Sequence, residues 1–172
     1  MKVLESERLV VRWFSLDDAA FIVELLNEPA WLQFIGDRGV RTLDDARTYL
    51  TNGPLAMYAR IGYGLFAVER KSDRALVGMC GLLKRDTLDD VDLGFALLTR
   101  FQHQGYARES AAAMLAHGQN VLGLKRIVAI TAPENPRSIA LLESLGFVFE
   151  KLIRFGDKGS DTKLFACRAE TK

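Results

Sequence analysis

The turn at residues 102–107, Gln-His-Gln-Gly-Tyr-Ala, constrains the fold most, because it joins a predicted strand to a predicted helix. Residues 91–99 form an apolar, β-permissive run, in which Gly94 predicts a bulge or a close backbone approach. After the turn, small and apolar residues recur on one helical face: Ala107, Ala111, Met114, Leu115, Gly118, Val121 and Leu122. Gly123 is expected to end this helix. Such a turn aims backbone N–H groups at one point before the positive end of a helix dipole, which predicts a phosphate site.

The composition excludes several classes of protein. The 172 residues are predicted to form one domain, 1–172, with 49% hydrophobic and 26% charged residues. A net charge of +1 argues against a nucleic-acid-binding protein, and no apolar stretch has the length of a membrane span. Cys80 and Cys167 lie in apolar runs without metal-ligand spacing. We therefore expect reduced thiols, no metal and a cytoplasmic protein.

The turn differs from two well-known glycine-rich phosphate loops. It has neither the G-x-G-x-x-G pattern of dinucleotide-binding folds nor the G-x-x-x-x-G-K-[ST] pattern of Walker loops. Instead, Gln102, Gly105 and Ala107 give Q-x-x-G-x-A, which resembles the [Q/R]-x-x-G-x-[G/A] pyrophosphate loop of the GNAT N-acetyltransferases. The resemblance implies that acetyl-coenzyme A (acetyl-CoA) is the co-substrate.

Two further segments resemble the same family. The opening, E-R-L-V-V-R at residues 7–12 and D-D-A at residues 17–19, resembles the start of the branch that contains the ribosomal-protein alanine N-acetyltransferases. Asn135, Ser138 and the L-L-E-S-L-G-F run at residues 141–147 resemble that family's N-x-x-S and LLE-x-LGF segment. The resemblance therefore covers nearly the whole chain, in the family's order.

Local patterns predict the other elements. Apolar runs bounded by turn residues predict strands at residues 8–14, 64–69, 75–83, 126–131, 147–154 and 161–168. Ser15, Thr42 and Asn135 are expected to cap helices, Pro29 to end the first of them, and residues 31–39 to be irregular. The resemblance implies an α+β GNAT fold: a mixed, mostly antiparallel sheet of six to seven strands with about four helices. Coenzyme A would lie in a V-shaped gap between the central strand and the strand at residues 126–131.

The resemblance assigns coenzyme contacts to three places. Backbone N–H groups of residues 104–108 would bind the pyrophosphate, and the candidate residues of this region are Gln102, His103, Gln104, Gly105, Tyr106, Ala107 and Arg108. The backbone of Leu97 and Leu98 would pair with the pantetheine arm. Asn135 would contact the same arm, and it has a second role as a helix cap. The His103 side chain would either donate to a phosphate or be exposed without a role.

The catalytic groups are less clearly marked. A group must accept the proton of the substrate ammonium, and the family often uses a glutamate on the central strand. Here that position is Asp92, which is either the base or the ion-pair partner of Lys84 or Arg85. Many members carry a tyrosine four residues before the glycine of LGF, where this chain has Leu142. Ser138 would then assist only as a hydrogen-bond donor to the leaving thiolate, or else satisfy a backbone group.

The acceptor is the least constrained part of the prediction. Trp31 and Phe34 lie in the joint that borders the acceptor groove of the family, so they are either substrate contacts or packing residues. We predict an N-acetyltransferase for a primary amine, such as a protein or peptide N-terminus. One alternative is an antibiotic or polyamine acetyltransferase, with an acidic pocket from Asp86, Asp89 and Asp90. Another is a non-catalytic acyl-CoA-binding module. Either a monomer or a homodimer is expected, without nucleic-acid or membrane partners.

Overall fold

The computed structural model describes residues 1–170 and contains one mixed sheet of eight strands. The strands are β1 (Lys2–Glu5), β2 (Leu9–Arg12), β3 (Leu65–Arg70), β4 (Leu76–Leu83), β5 (Asp92–Leu97), β6 (Arg126–Thr131), β7 (Val148–Phe155) and β8 (Ser160–Arg168). They lie in the order β1-β2-β3-β4-β5-β6-β8-β7, and every neighbouring pair is antiparallel except β5–β6. The predicted α+β class and mixed sheet are confirmed. The additional strand is β1, which precedes the first predicted strand.

Helices occupy the connections between these strands. Within residues 1–170 they are α1 (Ala19–Leu26), α2 (Pro29–Phe34), α3 (Leu43–Leu50), α4 (Ala56–Ile61), α5 (Tyr106–Asn120) and α6 (Pro136–Ser144). A π-helical turn at Thr51–Leu55 joins α3 directly to α4. Ser15, Thr42 and Asn135 each accept a backbone hydrogen bond at the start of a helical segment, as their cap positions predict.

Helix α2 corrects the prediction for residues 31–39. Pro29 stands at the first helical position, where its missing N–H breaks no intrahelical bond, so it begins α2 instead of ending α1. Helix α1 has already ended at Leu26. Helix α2 has only six residues, which is too few for a hydrophobic period to identify it.

Helix α5 packs across β4 and β5 and buries most of its predicted face. The buried residues on this face include Ala111, Met114, Leu115 and Gly118. Val121 does not belong to this face, because it follows the last helical residue, Asn120, and is 69% exposed. The prediction for Val121 is therefore wrong, since the helix ends before it reaches Gly123.

Small residues let the central strands approach closely. Strands β4 and β5 pair in regular register, with Gly94 opposite Gly81, so the predicted alternative of a bulge at Gly94 is wrong. A Cβ on Gly94 would lie 2.9 Å from Cδ1 of Leu83, the end of a flexible side chain, so no close backbone approach is present at Gly94 either. A Cβ on Gly81 would overlap the carbonyl oxygen of Gly64. Gly81 therefore requires glycine for packing, whereas a side chain at Gly94 would have to displace only the end of Leu83.

Strands β5 and β6 separate soon after they meet. Asp92 and Val128 are the aligned pair of this parallel ladder, and the Val128 N–H donates to the Val91 carbonyl at 2.9 Å. Beyond this point, β5 continues beside β4 and β6 continues beside β8. The V-shaped gap of the predicted fold is present, and it opens toward the C-terminal ends of both strands.

The edge of the sheet beyond this gap is largely exposed. Strand β7 is the edge strand, and its Val148, Phe149 and Leu152 side chains are 67%, 48% and 56% exposed. Its pairing with β8 shifts between Phe149 and Lys151, and such a bulge discourages further strands from adding to an edge.

The expectation of a monomer or a homodimer stays a prediction, and so does the expectation of a single domain. None of the helices in residues 1–170 has both the length and the apolar character needed to cross a bilayer.

Candidate active site

Strand β5 directs one backbone edge into the gap. The Leu98 N–H donates to the Val77 carbonyl at 2.9 Å, and the Leu98 carbonyl accepts from the Phe101 N–H at 2.9 Å. The Leu98 N–H is therefore occupied, whereas its carbonyl oxygen has a second lone pair, so contact between Leu98 and the pantetheine arm stays a prediction. Backbone groups alternate sides along a strand, so Phe95 and Leu97 point theirs away from β4 and into the gap. Leu97 therefore stays a predicted contact of the pantetheine arm. Phe95, two residues earlier on the same strand, points its backbone groups the same way and is a second candidate that the strand period could have identified.

The turn at residues 102–107 ends at the predicted helix start. His103 and Gly105 adopt left-handed backbone conformations, with φ of +61° and +82°. The Glu109 N–H donates to the Gly105 carbonyl at 3.0 Å, so the N–H groups of residues 106–108 precede the first donor of the helical ladder. Those groups lie at the positive end of the α5 dipole, an arrangement that suits a phosphate. The residues present therefore fit a pyrophosphate.

Helix α6 lies close to the same turn. Arg137, in the first turn of α6, donates to Oε1 of Gln102 at 3.2 Å. Arg108 reaches back from α5 toward the Ser144 carbonyl at 3.5 Å. Both arginines and the Gln104 side chain are exposed, so two guanidinium groups flank the N-terminus of α5. No sequence pattern marks Arg137, because its approach to Gln102 depends on how α6 packs.

The start of α6 contains the predicted Asn135 and Ser138. Oδ1 of Asn135 accepts a hydrogen bond from the Ser138 N–H at 3.3 Å, so Asn135 does cap the helix. Ser138 is half-buried, whereas Leu142, one turn later, is only 1% exposed and belongs to the main core. The position that holds a tyrosine in many family members is thus an apolar core position in this chain.

Asp92 lies at the first residue of β5, where β5 and β6 begin to separate. Its side chain is 1% exposed, and Oδ1 accepts from Nε of Arg85 at 3.1 Å. Burial raises the pKa of the Asp92 carboxyl, while the charge and hydrogen bond of Arg85 oppose that rise. Lys84 donates instead to the Leu88 carbonyl at 2.5 Å. The predicted ion pair is therefore with Arg85, and the proton-acceptor role of Asp92 stays a prediction.

A shallow groove of about 430 Å³ lies beside α3. It is lined by Arg38, Gly39, Val40, Asp45, Thr48, Tyr49, Asn52 and Gly53. Burial raises the pKa of the Tyr49 phenol, and the charges of Arg38 and Arg85 oppose this rise, so Tyr49 lies within electrostatic reach of both. Neither Arg85 nor its partner Asp92 lines the groove itself. Nothing in the spacing of these residues marks them in the sequence.

Trp31 and Phe34 occupy different environments on α2. Trp31 is 6% exposed and belongs to the main core, which agrees with its packing alternative. Its Nε1–H is buried and has no hydrogen-bond partner among the described residues. Phe34 is half-buried, and neither residue lines the groove beside α3. Their contact with a substrate stays a prediction.

Comparison with known proteins identifies the family. The model of the acetyltransferase (GNAT) domain matches residues 8–148 of this chain. This chain belongs to the GNAT acetyltransferase family. An uncharacterized N-acetyltransferase of Bacillus subtilis, YnaD, is 25% identical over 97% of both chains. The chain is therefore an acetyl-CoA-dependent acyltransferase, as the resemblance implied.

Solved GNAT structures share the whole fold. RimL, a ribosomal alpha-N-protein acetyltransferase in complex with coenzyme A, superposes with a TM-score of 0.83 at 17% identity, over 98% of each chain. A chimera of the spermidine N-acetyltransferase SpeG from Vibrio cholerae and hSSAT superposes with a TM-score of 0.77 at 21% identity, over 94% of this chain and 96% of the other. At these identities the likeness shows the fold alone. Within residues 1–170, no three His, Cys, Asp or Glu side chains gather where they could hold a metal ion.

Proposed function

We propose that this GNAT enzyme transfers the acetyl group of acetyl-CoA to the terminal amine of a peptide or protein. The coenzyme part of the proposal rests on two sets of free backbone groups that follow one another along the chain. Phe95 and Leu97 direct theirs into the β5–β6 gap, and the N–H groups of residues 106–108 lie at the end of the same strand–turn–helix unit. An extended pantetheine arm would pair with β5 while its pyrophosphate lies on α5.

The chemistry assigns one task to each candidate side chain. Acetyl-CoA supplies the thioester. Asp92 accepts the proton of the substrate ammonium, through a water where direct contact is too long. Its raised pKa brings the carboxyl closer to the pH at which an enzyme works, which favours proton acceptance. Ser138 donates a hydrogen bond to the departing thiolate, and Asn135 fixes the helix turn that holds Ser138.

The charge of the groove beside α3 supports a peptide over a polyamine. Arg38 contributes a positive charge there, and the carboxylate of Asp45 is already bound by the backbone N–H groups of Arg41 and Thr42, each at 3.0 Å. Among the acids that would have formed an acidic pocket, Asp90 pairs with Arg126 at 2.9 Å. Asp86 and Asp89 are exposed and form no ion pair among the described residues, but neither lines the groove, so a polycation would meet only the Asp45 carboxylate there. A peptide carries one amine to acetylate and carbonyl groups that Arg38 and Tyr49 can bind.

The experiment that tests this proposal measures free-thiol release from acetyl-CoA with a panel of acceptors. The panel contains short peptides with Ala, Ser or Met at the N-terminus, the same peptides with a blocked N-terminus, spermidine, and an aminoglycoside. We expect release with free peptides and none with blocked ones. Faster turnover of spermidine or the aminoglycoside would instead support the small-molecule alternative.

A parallel calorimetric titration with coenzyme A tests the remaining alternative, which is a non-catalytic acyl-CoA-binding module. Binding of coenzyme A without turnover of any acceptor would favour the acyl-CoA-binding module. Failure to bind coenzyme A at all would contradict the assignment of the β5–β6 gap as the coenzyme site.

A further inference from the structure

Arg8 connects the N-terminal segment to the coenzyme turn, which we define as residues 102–108. Its backbone N–H donates to Oε1 of Glu109 at 2.8 Å, and its Nε donates to Oε2 of the same carboxylate at 2.7 Å. One terminal nitrogen donates to the Gln104 carbonyl at 2.9 Å. A single residue therefore fixes the peptide before Gly105 and the first turn of α5 after it.

The same guanidinium packs against the first residue of α5. The Arg8 guanidinium carbon lies 4.5 Å from the centre of the Tyr106 ring, a distance typical of cation–π contact. Arg70 approaches Tyr106 from β3 and donates to its hydroxyl at 3.4 Å. The second terminal nitrogen of Arg8 lies 3.1 Å from the position that a Cβ on Gly105 would occupy. Arg8 thus encloses Gly105 on one side.

The conformation of the turn explains why such support matters. His103 and Gly105 both have positive φ, and His103 is not a glycine. Left-handed backbone at a residue with a side chain is unfavourable and persists where surrounding contacts fix it. The hydrogen bond from Arg8 to the Gln104 carbonyl holds the peptide that lies between these two residues.

The charge of Glu109 is a second, electrostatic reason why Arg8 matters for coenzyme binding. Burial opposes ionisation of Glu109, but hydrogen bonds from Ser6 and from the backbone and side chain of Arg8 outweigh it and lower its pKa. The carboxylate is therefore charged in the first turn of α5, next to the N–H groups that would receive a pyrophosphate. An uncompensated negative charge there would repel a dianionic group, and Arg8 compensates it.

We propose that Arg8 is a positioning residue for coenzyme binding: it holds the coenzyme turn in its binding conformation and compensates the charge of Glu109. This inference rests on the proposed coenzyme site. It concerns the coenzyme's diphosphate, because every contact of Arg8 described above lies at the turn and the start of α5. Arg8 acts through Gln104, Tyr106 and Glu109, and it has no assigned part in acetyl transfer.

The test compares coenzyme A affinity in four variants by calorimetry. Arg8→Ala should weaken binding about tenfold or more, because hydrogen bonds that involve charged groups are lost. Arg8→Lys keeps the charge but lacks the planar fork, so its loss should be intermediate. Glu109→Gln combined with Arg8→Ala should recover part of the affinity, since the uncompensated charge is gone. Arg47→Ala, which removes an exposed arginine paired with Asp44, is the matched control and should bind normally.

A second probe locates the effect on the diphosphate. Pantetheine lacks the diphosphate, so its inhibition constant against acetyl-CoA should be the same for wild type and Arg8→Lys. For the Arg8 variants that turn over, KM for acetyl-CoA should rise while kcat changes little.

Several outcomes would overturn the inference while leaving the proposed coenzyme site intact. Equal coenzyme A affinity in wild type and Arg8→Lys would do so, as would an equal loss for pantetheine. If Arg8→Ala lowers the melting temperature and the Glu109→Gln combination recovers no affinity, Arg8 is only a structural residue. A wild-type protein that does not bind coenzyme A would instead contradict the proposed function itself.

Discussion

Asp92 is a buried carboxylate at the one point where β5 and β6 are paired. If it accepts the substrate proton, Asp92→Asn should lower kcat by about 10²-fold or more, because general-base catalysis contributes on that order. Coenzyme A affinity should change little, since Asp92 lies at the opposite end of β5 from the coenzyme turn. Steady-state kinetics and calorimetry on the same preparation check both parts. Unaltered turnover would leave Asp92 as the ion-pair partner of Arg85.

The pH profile provides an independent check on the same residue. A proton acceptor must be ionised, so kcat should fall as the pH drops through the raised pKa of Asp92. Arg85→Gln removes the charge that opposes this raised pKa, so the acid limb of the profile should move to higher pH. Arg47→Gln, which removes an exposed arginine paired with Asp44, should leave the limb in place. If Arg85→Gln leaves the acid limb at the same pH, then another group accepts the proton.

Ser138 is expected to assist the reaction without being essential. Ser138→Ala should lower kcat by roughly tenfold, the worth of one hydrogen bond, because a thiolate is a fair leaving group. Ser144→Ala is a matched control on the same helix, since the Ser144 hydroxyl donates to the Leu141 carbonyl at 2.7 Å. Kinetics at saturating acetyl-CoA measure both variants. Near-complete inactivation by Ser138→Ala in a folded protein that still binds coenzyme A would show Ser138 to be essential.

At the scale of elements, Gly105 links the geometry of the turn to its function. Its φ of +82° disfavours any residue with a Cβ, so Gly105→Ala should lower the free energy of unfolding by about 1–2 kcal/mol. Gly123 has a φ of +69° and an open surrounding, so Gly123→Ala should cost a similar amount of stability. Only Gly105→Ala should also weaken coenzyme A binding, because only Gly105 lies in the coenzyme turn. Equal coenzyme affinity in both variants would contradict the location of the phosphate site.

Hydrogen exchange can distinguish the backbone groups of β5 one by one. The Phe95 and Leu97 amides point into the gap, so we expect fast exchange without coenzyme and protection at saturating acetyl-CoA. The Leu98 amide is the internal control, because it is already bonded to the Val77 carbonyl. Protection that appears at neither Phe95 nor Leu97 would contradict pairing between β5 and the pantetheine arm.

Sequence patterns predicted most elements because those elements have long periods or clear caps. Local chemistry determines the face of α5, the caps at Ser15, Thr42 and Asn135, and strands β3 and β4. The omissions have non-local causes. Phe95 was missed because strand register decides which backbone groups are free, and Arg8 gains its contacts from a segment about a hundred residues away. The groove beside α3 could not be predicted either, because its shape depends on how neighbouring elements pack together.

At the scale of the whole molecule, the single sheet consists of two antiparallel groups of strands joined by one short parallel ladder. Strands β1 to β5 form an antiparallel series in which neighbours in sequence are neighbours in space. Strands β6 to β8 form a second antiparallel group, and Asp92 with Val128 is the aligned pair that joins them. Helix α5 crosses the junction, since it contacts β4 and β5 on one side and β6 on the other.

This division has a consequence for the cooperativity of unfolding. Both tryptophans, Trp13 and Trp31, belong to the first group of strands and helices, so fluorescence reports on that half alone. Circular dichroism reports on both halves. The main core contains Ile127, Ala129 and Phe165 of the second group together with residues of the first, so a urea titration should give coincident transitions by the two probes. Coenzyme A would touch both halves and should move that transition to a higher midpoint. The ligand would then hold the two groups of strands together as well as take part in the reaction.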